Sequence, residues 1–445
     1  MKSNKNPENK EPGFKIIFRS LRYRNYRLFF SGQSLSLIGT WIQRIALPWL
    51  VYRLSGSAFL LGVVSFAGQI PTFLLAPFAG VLTDRWNRYH ILVITQILAM
   101  IQALILTLLF FSGLIQVSHI IVLSVFLGCI NAFDIPARQS FVIEMVEKSE
   151  DLGNAIALNS SMVNSARLLG PSIAGVLIAS AGEGICFLLN ALSYLFVIVS
   201  LLFMKVKTRK KSIKNAKVLN SLKEGFSYTF GFAPIKSIIL LLGLISLMGM
   251  PYTVLMPIFA KEILHGGSYT YGLLMGASGV GALTGAIYLA SRRTILGLGK
   301  IISLSAGLFG LGLVSFSLSH IFPLSLILMI FVGLGMMLQL ASSNTIIQTI
   351  VDDDKRGRVM SFYAMAFMGT APFGSFLAGS LASVWSAPAA LLIGGTSCII
   401  GAIVFANNLS ELRKKIRPIY IRLGIIREVA EGIRSATEIS VPPSE

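Results

Sequence analysis

The strongest constraint on this chain is a series of about a dozen apolar stretches, each near 20 residues long and separated by short charged loops. The clearest, Ile97–Leu114, carries no charge at all. A bilayer core is about 30 Å thick and a helix rises about 1.5 Å per residue, so roughly 20 apolar residues cross it. Lipid offers no hydrogen bonds, and helices satisfy their own N–H and C=O groups segment by segment. The chain therefore reads as an all-α, multi-pass membrane protein, and its work is done in or across a membrane.

Composition narrows the function. Charged residues make up 13% of the chain and apolar residues 54%, where a soluble protein carries about 25% charge. The formal net charge is +19. Its distribution argues against nucleic acid, because the basic residues fall in tails and in alternate loops, the pattern of loops retained on the cytoplasmic side. Cys129, Cys186 and Cys398 all sit in apolar stretches without a CxxC pair, which disfavours disulfide frameworks and thiolate metal sites. No nucleotide-binding loop, zinc-protease motif or pair of deep carboxylates is present, so no enzyme chemistry, cofactor or metal is expected.

Expected spans are 27–52, 58–82, 91–113, 117–145, 155–180 and 185–204, then 236–261, 269–291, 298–318, 322–348, 358–383 and 387–408. The expected organisation is a basic N-terminal segment (1–26), a six-helix half (27–204), a basic linker (205–235), a second six-helix half (236–408) and an amphipathic tail (409–445). Arg85, Arg88, Arg292, Arg293, Lys355, Arg356, Arg358 and the lysine-rich linker share one side. That side is expected to be cytoplasmic, with both termini on it, in a bacterial inner membrane. The terminal segments read as basic amphipathic helices at the headgroups. Spans 4–5 and 10–11 resemble each other weakly. Each pair has a polar-tipped span, an acid-rich turn and a span interrupted by proline and glycine. Repeated halves of this kind suit a transporter with its substrate site between them near the midplane.

Charges inside spans carry the sharpest functional signal, since each costs several kcal/mol unless paired or hydrated. Arg44 lies in span 1, Asp134 in span 4 and Arg167 in span 5. Asp134 is the one acid placed deep. Burial disfavours a carboxylate and a nearby guanidinium favours it, so its charge can respond to conformation. Two readings stand: a proton carrier with Arg44 and Arg167 as partners, or a permanent ion pair with Arg138 one turn away or with Arg167. The expected substrate cavity is lined by Trp41, Gln43, Arg138, Asn164, Gln339 and Asn344.

Three motifs add a resemblance. Gly80-Val-Leu-Thr-Asp84-Arg85-Trp-Asn87-Arg88 resembles the GxxxDRxGRR signature of the major facilitator superfamily, departing at Asn87 where glycine is usual. Asn tolerates the left-handed conformation, so the turn can survive. The resemblance implies a conformational latch of Gly80, Asp84, Arg85 and Arg88. Gly80 would admit a neighbouring helix, and Asp84 would cap span 11 near Arg358. Glu144 is expected to bridge to Arg88. The stretch from Gly39 to Tyr52, with Trp41, Gln43, Pro48 and Trp49, together with Asp134-Ile-Pro136-Ala-Arg138-Gln139, is similar to drug:proton antiporters that include siderophore (enterobactin-type) and macrolide exporters. Gly170-Pro171-Ser-Ile-Ala174-Gly175 resembles the antiporter signature of span 5, with Ala174 in place of one glycine. It is expected to break helix regularity there and to allow close packing against span 8.

The resemblance implies two six-helix halves that rock about a central site. It implies proton-coupled export of an amphipathic small molecule, a siderophore or macrolide-like drug, by a monomer whose partners are substrate, protons and the lipid bilayer. A lysophospholipid flippase and a non-transporting membrane receptor or scaffold are the alternatives.

Overall fold

The computed structural model describes residues 18–146, 148–205, 218–292 and 294–426, without the side chains of Pro77, Val81, Asp84, Ser149, Asp353 and 218–223. The basic segment before Phe18, Arg293, most of the basic linker and the tail beyond Ile426 therefore lie outside the described residues, as does the Asp84 carboxylate.

Among the described residues the chain is helical, with no strand. The first half comprises α1 (Arg24–Ser55), α2 (Ala58–Arg85), α3 (Arg88–Phe111), α4 (Val117–Glu144), α5 (Ser149–Ala181) and α6 (Glu183–Leu202). A linker helix α7 (Val218–Gly231) precedes α8 (Ala233–Ile263), α9 (Ser268–Ser291), α10 (Leu298–Ser317), α11 (Phe322–Ile350), α12 (Asp354–Val384) and α13 (Ala387–Asn407). A tail helix, α14, follows (Leu409–Arg422). Eleven of these helices are long and apolar enough to cross a membrane. The twelfth crossing is α1. At 32 residues it extends about 48 Å, and Gln33, Ser34, Ser36, Thr40, Gln43 and Arg44 lower its apolar character.

Local chemistry sets the corners. Gly56 adopts φ +60°, a left-handed residue that ends α1, and the next residue, Ser57, accepts from the Leu60 N–H to start α2. At the opposite end Asn87 is extended rather than left-handed, and its Oδ1 accepts from the Tyr89 N–H at 3.0 Å. The departure from glycine at this position thus works as an N-cap for α3. Hereafter the end carrying Arg85, Arg88 and Arg358 is the basic end, and the opposite one the far end.

Prolines act differently in the two halves. Helix α5 runs through Pro171 without interruption, so the expected break in span 5 is absent. Its counterpart α12 does break, through a wide turn at Met365–Gly369 just before Pro372. Helix α8 has wide turns at Ile245–Gly249 and Phe259–Ile263 around Pro251 and Pro257. A proline cannot donate to the preceding turn and clashes with it, and an extra residue per turn relieves both. The Ser246 hydroxyl donates to the Phe367 carbonyl, joining the breaks of α8 and α12.

The halves meet across two glycine crossings. Gly175 of α5 faces Gly272 of α9, and Gly62 of α2 faces Gly379 of α12, each so close that an added Cβ would stand 2.7–3.0 Å from the opposing Cα. Small residues let helix backbones approach in this way. Around them, Trp49 stacks on Tyr271, Phe59 meets Phe376 edge-on, and the Ser268 hydroxyl donates to the Gly175 carbonyl. At the far end Tyr52 donates its hydroxyl proton to Glu262 across the seam. Nearer the middle, the Arg167 guanidinium reaches Met336 Sδ at 3.3 Å, and Phe73 packs edge-on against Phe373.

Both terminal segments pack on protein. Ser20, Arg19, Arg22 and Tyr23 converge on Asp151 in the first turn of α5, where the helix N-terminus also favours a carboxylate. Leu412, Ile416 and Tyr420 of α14 are buried beneath the second half, and Arg422 pairs with Asp352 at 3.1 Å. Each of these segments thus has one apolar or basic face set against a complementary protein surface.

Candidate substrate and coupling site

Asp134 sits ten residues before the end of α4, about 15 Å from the basic end of that helix. It is 5% exposed. Its Oδ1 accepts from Gln96 Nε2 at 2.7 Å and Thr95 Oγ1 at 3.1 Å, and its Oδ2 faces Arg138 Nη2 at 3.2 Å. All three contacts are donations into the acid, the arrangement an ionised carboxylate uses. The pair sits on one face of α4 because 134 and 138 are one turn apart. Of the two partners open in the sequence, Arg138 takes the contact in this conformation and Arg167 does not.

Arg44 lies deep in the molecule yet its side chain is exposed, so it faces a space open to water. Arg138 and Arg167 are within its electrostatic reach. Its guanidinium sits 5.1 Å from the Trp41 ring centroid, a cation–π contact. Trp41 in turn packs on Gly170, where an added Cβ would stand 2.4 Å from the Trp41 Cβ. Among the described residues neither Arg44 nor Arg167 has a carboxylate partner. Tyr194 lies close to Asp134 and Arg44, with Thr40 and Asn190 also beside it.

Below these charges, toward the basic end, two polar stripes stand exposed or half-exposed. Helix α5 presents Ala157, Ser160, Ser161 and Asn164, and α11 presents Ala341, Asn344, Thr345 and Gln348. Asn164 donates to the Ser160 carbonyl at 2.9 Å, and Asn344 accepts from Gln348. Two other expected cavity residues are elsewhere. Gln43 is 3% exposed, donates to Gln102 at 3.1 Å and accepts from Asn190 at 2.7 Å. It ties α1 to α3 and α6, because a buried amide must find partners. Gln339 is fully buried and donates to Ser343 within its own helix.

Of the residues assigned to a latch, the expected bridge between Arg88 and Glu144 is present, while Arg85 and Arg358 stand apart from it. Arg88 pairs with Glu144 within the first half. Arg85 is exposed. Arg358 bonds Glu224 of the linker helix at 2.7 Å instead of standing over a cap on α12. A Cβ on Gly80 would meet nothing within 4 Å, so the expected close helix approach is absent here. Gly170, Pro171 and Gly175 do line the α5 face that meets α9: the Pro171 carbonyl lies 2.7 Å from where a Gly272 Cβ would stand.

Thr95, Gln96, Tyr194 and the Tyr52–Glu262 contact escape the sequence reading. The first two were signalled by adjacent polar residues inside the apolar run His90–Met100. The last joins residues 210 positions apart and leaves no local pattern.

Comparison with known proteins places this architecture. The family described as transmembrane secretion effector matches residues 17–416. The chain belongs to this family of major facilitator superfamily transporters. The transporter is 28% identical over 390 residues to the staphyloferrin A transporter of Staphylococcus aureus, covering 87% of this chain and 97% of the relative. It is 24% identical to the multidrug efflux pump Tap of Mycolicibacterium fortuitum, covering 85% and 95%. With macrolide efflux protein A of Streptococcus pyogenes the identity is 21%, covering 88% and 98%. Among solved structures, a bacterial homologue of the lysosomal transporter Spinster, inward-facing, superposes with a TM-score of 0.64 at 14% identity over 90% of this chain and 98% of that one. A POT family transporter in complex with 5-aminolevulinic acid gives 0.70 at 13% identity over 87% and 96%. These structural likenesses speak to the fold.

Proposed function

We propose that this transporter exports an amphipathic small molecule, a siderophore or macrolide-like drug, across the bacterial inner membrane in exchange for protons. The observation that carries the reading is the Asp134–Arg138 pair in the membrane-spanning part of α4, beside Arg44, which has no carboxylate partner among the described residues. A secondary antiporter needs a group that changes charge during its cycle, and an ionisable residue inside a membrane span is a candidate for that role. The relatives named above supply the direction of transport and the two substrate classes.

In this proposal the basic end is cytoplasmic, and the conformation is open to that side. The far-end seam is closed by Gly175–Gly272, Gly62–Gly379 and Tyr52–Glu262. Substrate enters between the polar stripes of α5 and α11. A proton arriving at Asp134 from outside neutralises it and frees Arg138. In the return step the halves close around Arg88, Glu144 and the Gly80–Arg88 loop, a latch that is disengaged here. The transporter works as a monomer, since each chain contains both halves of the cavity.

Metabolite profiling of the growth medium tests this. A strain lacking the gene should secrete less of one compound than a complemented strain, and retain it in the cells. Identical media from the two strains, under iron limitation and under drug challenge, would remove the export reading.

A further inference from the structure

Three guanidiniums, Arg44, Arg138 and Arg167, lie within electrostatic reach of one another around Arg44, and among the described residues Asp134 is the carboxylate that meets one of them. Asp134 is already occupied by Thr95, Gln96 and Arg138. Arg44 and Arg167 have no acidic partner among the described residues, and there the polar contact of the Arg167 guanidinium is with a thioether, Met336 Sδ. A neutral sulfur does not balance a cation. Two unmatched arginines at membrane depth are expensive, and their cost is lowered by water in this open state and by an anion when the cavity closes. From the second half α11 brings Met336 to Arg167, and that helix carries no acid.

We infer that the cavity selects an anionic substrate, a small amphipathic molecule carrying two or more carboxylates, which bridge Arg44 and Arg167. This rests on the transport reading above and narrows it. Guanidinium pairs with carboxylate through two parallel N–H···O bonds, with a geometric specificity a lysine lacks. Trp41, under the Arg44 guanidinium, supplies a flat apolar wall for the body of the molecule. Because Arg167 contacts Met336 across the halves, an anion bound there draws on both halves at once. Cationic amphiphiles face a net positive site and are disfavoured by the same charges.

The test uses two dyes with one xanthene body and opposite charge, carboxyfluorescein and rhodamine 123. Binding is read by fluorescence anisotropy to the full-length transporter in nanodiscs. Carboxyfluorescein should bind at least tenfold more tightly than rhodamine 123. Arg44→Gln and Arg167→Gln should each weaken carboxyfluorescein about tenfold, in line with loss of a charge-assisted pair, and Arg44→Lys should recover part of that loss. The wild-type comparison decides even if a variant does not fold. Equal or tighter binding of rhodamine 123, or binding of neither dye, overturns the inference. Efflux of rhodamine 123 from loaded cells alongside that result would leave export standing and remove the anionic substrate alone.

Discussion

A Cβ placed on Gly272 would stand 2.7 Å from the Cα of Gly175, so the crossing of α5 over α9 admits glycine on both sides and nothing larger. The same relation between Gly62 and Gly379 holds α2 against α12. Each crossing joins one helix of the first half to one helix of the second.

Enlarging either glycine should therefore pry the far end apart. Overpacking costs about 1–3 kcal/mol, which is a population shift of roughly 5- to 150-fold. Spin labels at Leu54 and Tyr269, exposed on opposite halves near the far end, report it. Gly272→Ala should lengthen the distance between them. An unchanged distance distribution would mean that the crossing does not hold the far end shut.

Tyr52→Phe should act in the same direction but more weakly. It removes the hydroxyl that donates to Glu262 across the seam, a contact with water access, worth about 0.5–1.5 kcal/mol. The double variant Tyr52→Phe with Glu262→Gln should shift the same label distance no further than the stronger single variant does. Full additivity would show that the two residues act separately.

The fold was legible from span lengths and loop charge because lipid forces helices and leaves charge outside. The site was legible only in part. Asp134, Arg44 and Arg167 stand out as charges among apolar residues, but their pairing depends on rotation and register between helices far apart in sequence. Gln43 and Gln339 look like cavity residues for the same reason that Asn164 does, and only packing shows that their faces turn inward. Pro171 reads as a helix breaker, yet α5 continues through it while α12 does not. The latch loop reads as an assembled device; of its described parts Arg88 meets Glu144, while Arg358 bonds Glu224 of the linker helix, a partner far away in sequence.

The tail helix is expected to stabilise the second half. Ile416 is 8% exposed beneath it, and its truncation to alanine should cost about 2 kcal/mol, seen as a lower melting temperature of the purified protein. Lys415→Ala, one position along on the exposed face, should leave that temperature unchanged. Equal effects from both would contradict the docking of α14.

Orientation has its own test. A single cysteine replacing Lys414 on the exposed face of α14 should resist an impermeant maleimide in intact cells and react after permeabilisation. Strong labelling of intact cells would invert the topology.

If Asp134 couples protons to export, as proposed, proteoliposomes carrying an imposed pH gradient will show it. The substrate is the compound whose export is lost in the deletion strain. Wild-type transporter should concentrate it against its own gradient when the pH difference is applied and only equilibrate it when the difference is collapsed. Asp134→Asn keeps the size of the side chain and one acceptor oxygen, enough for Thr95 and Gln96 or for Arg138, but removes the titration. It should bind substrate and equilibrate it, with no concentration under the pH gradient. If Asp134→Asn still concentrates substrate under that gradient, Asp134 is a structural partner of Arg138 and the coupling group lies elsewhere.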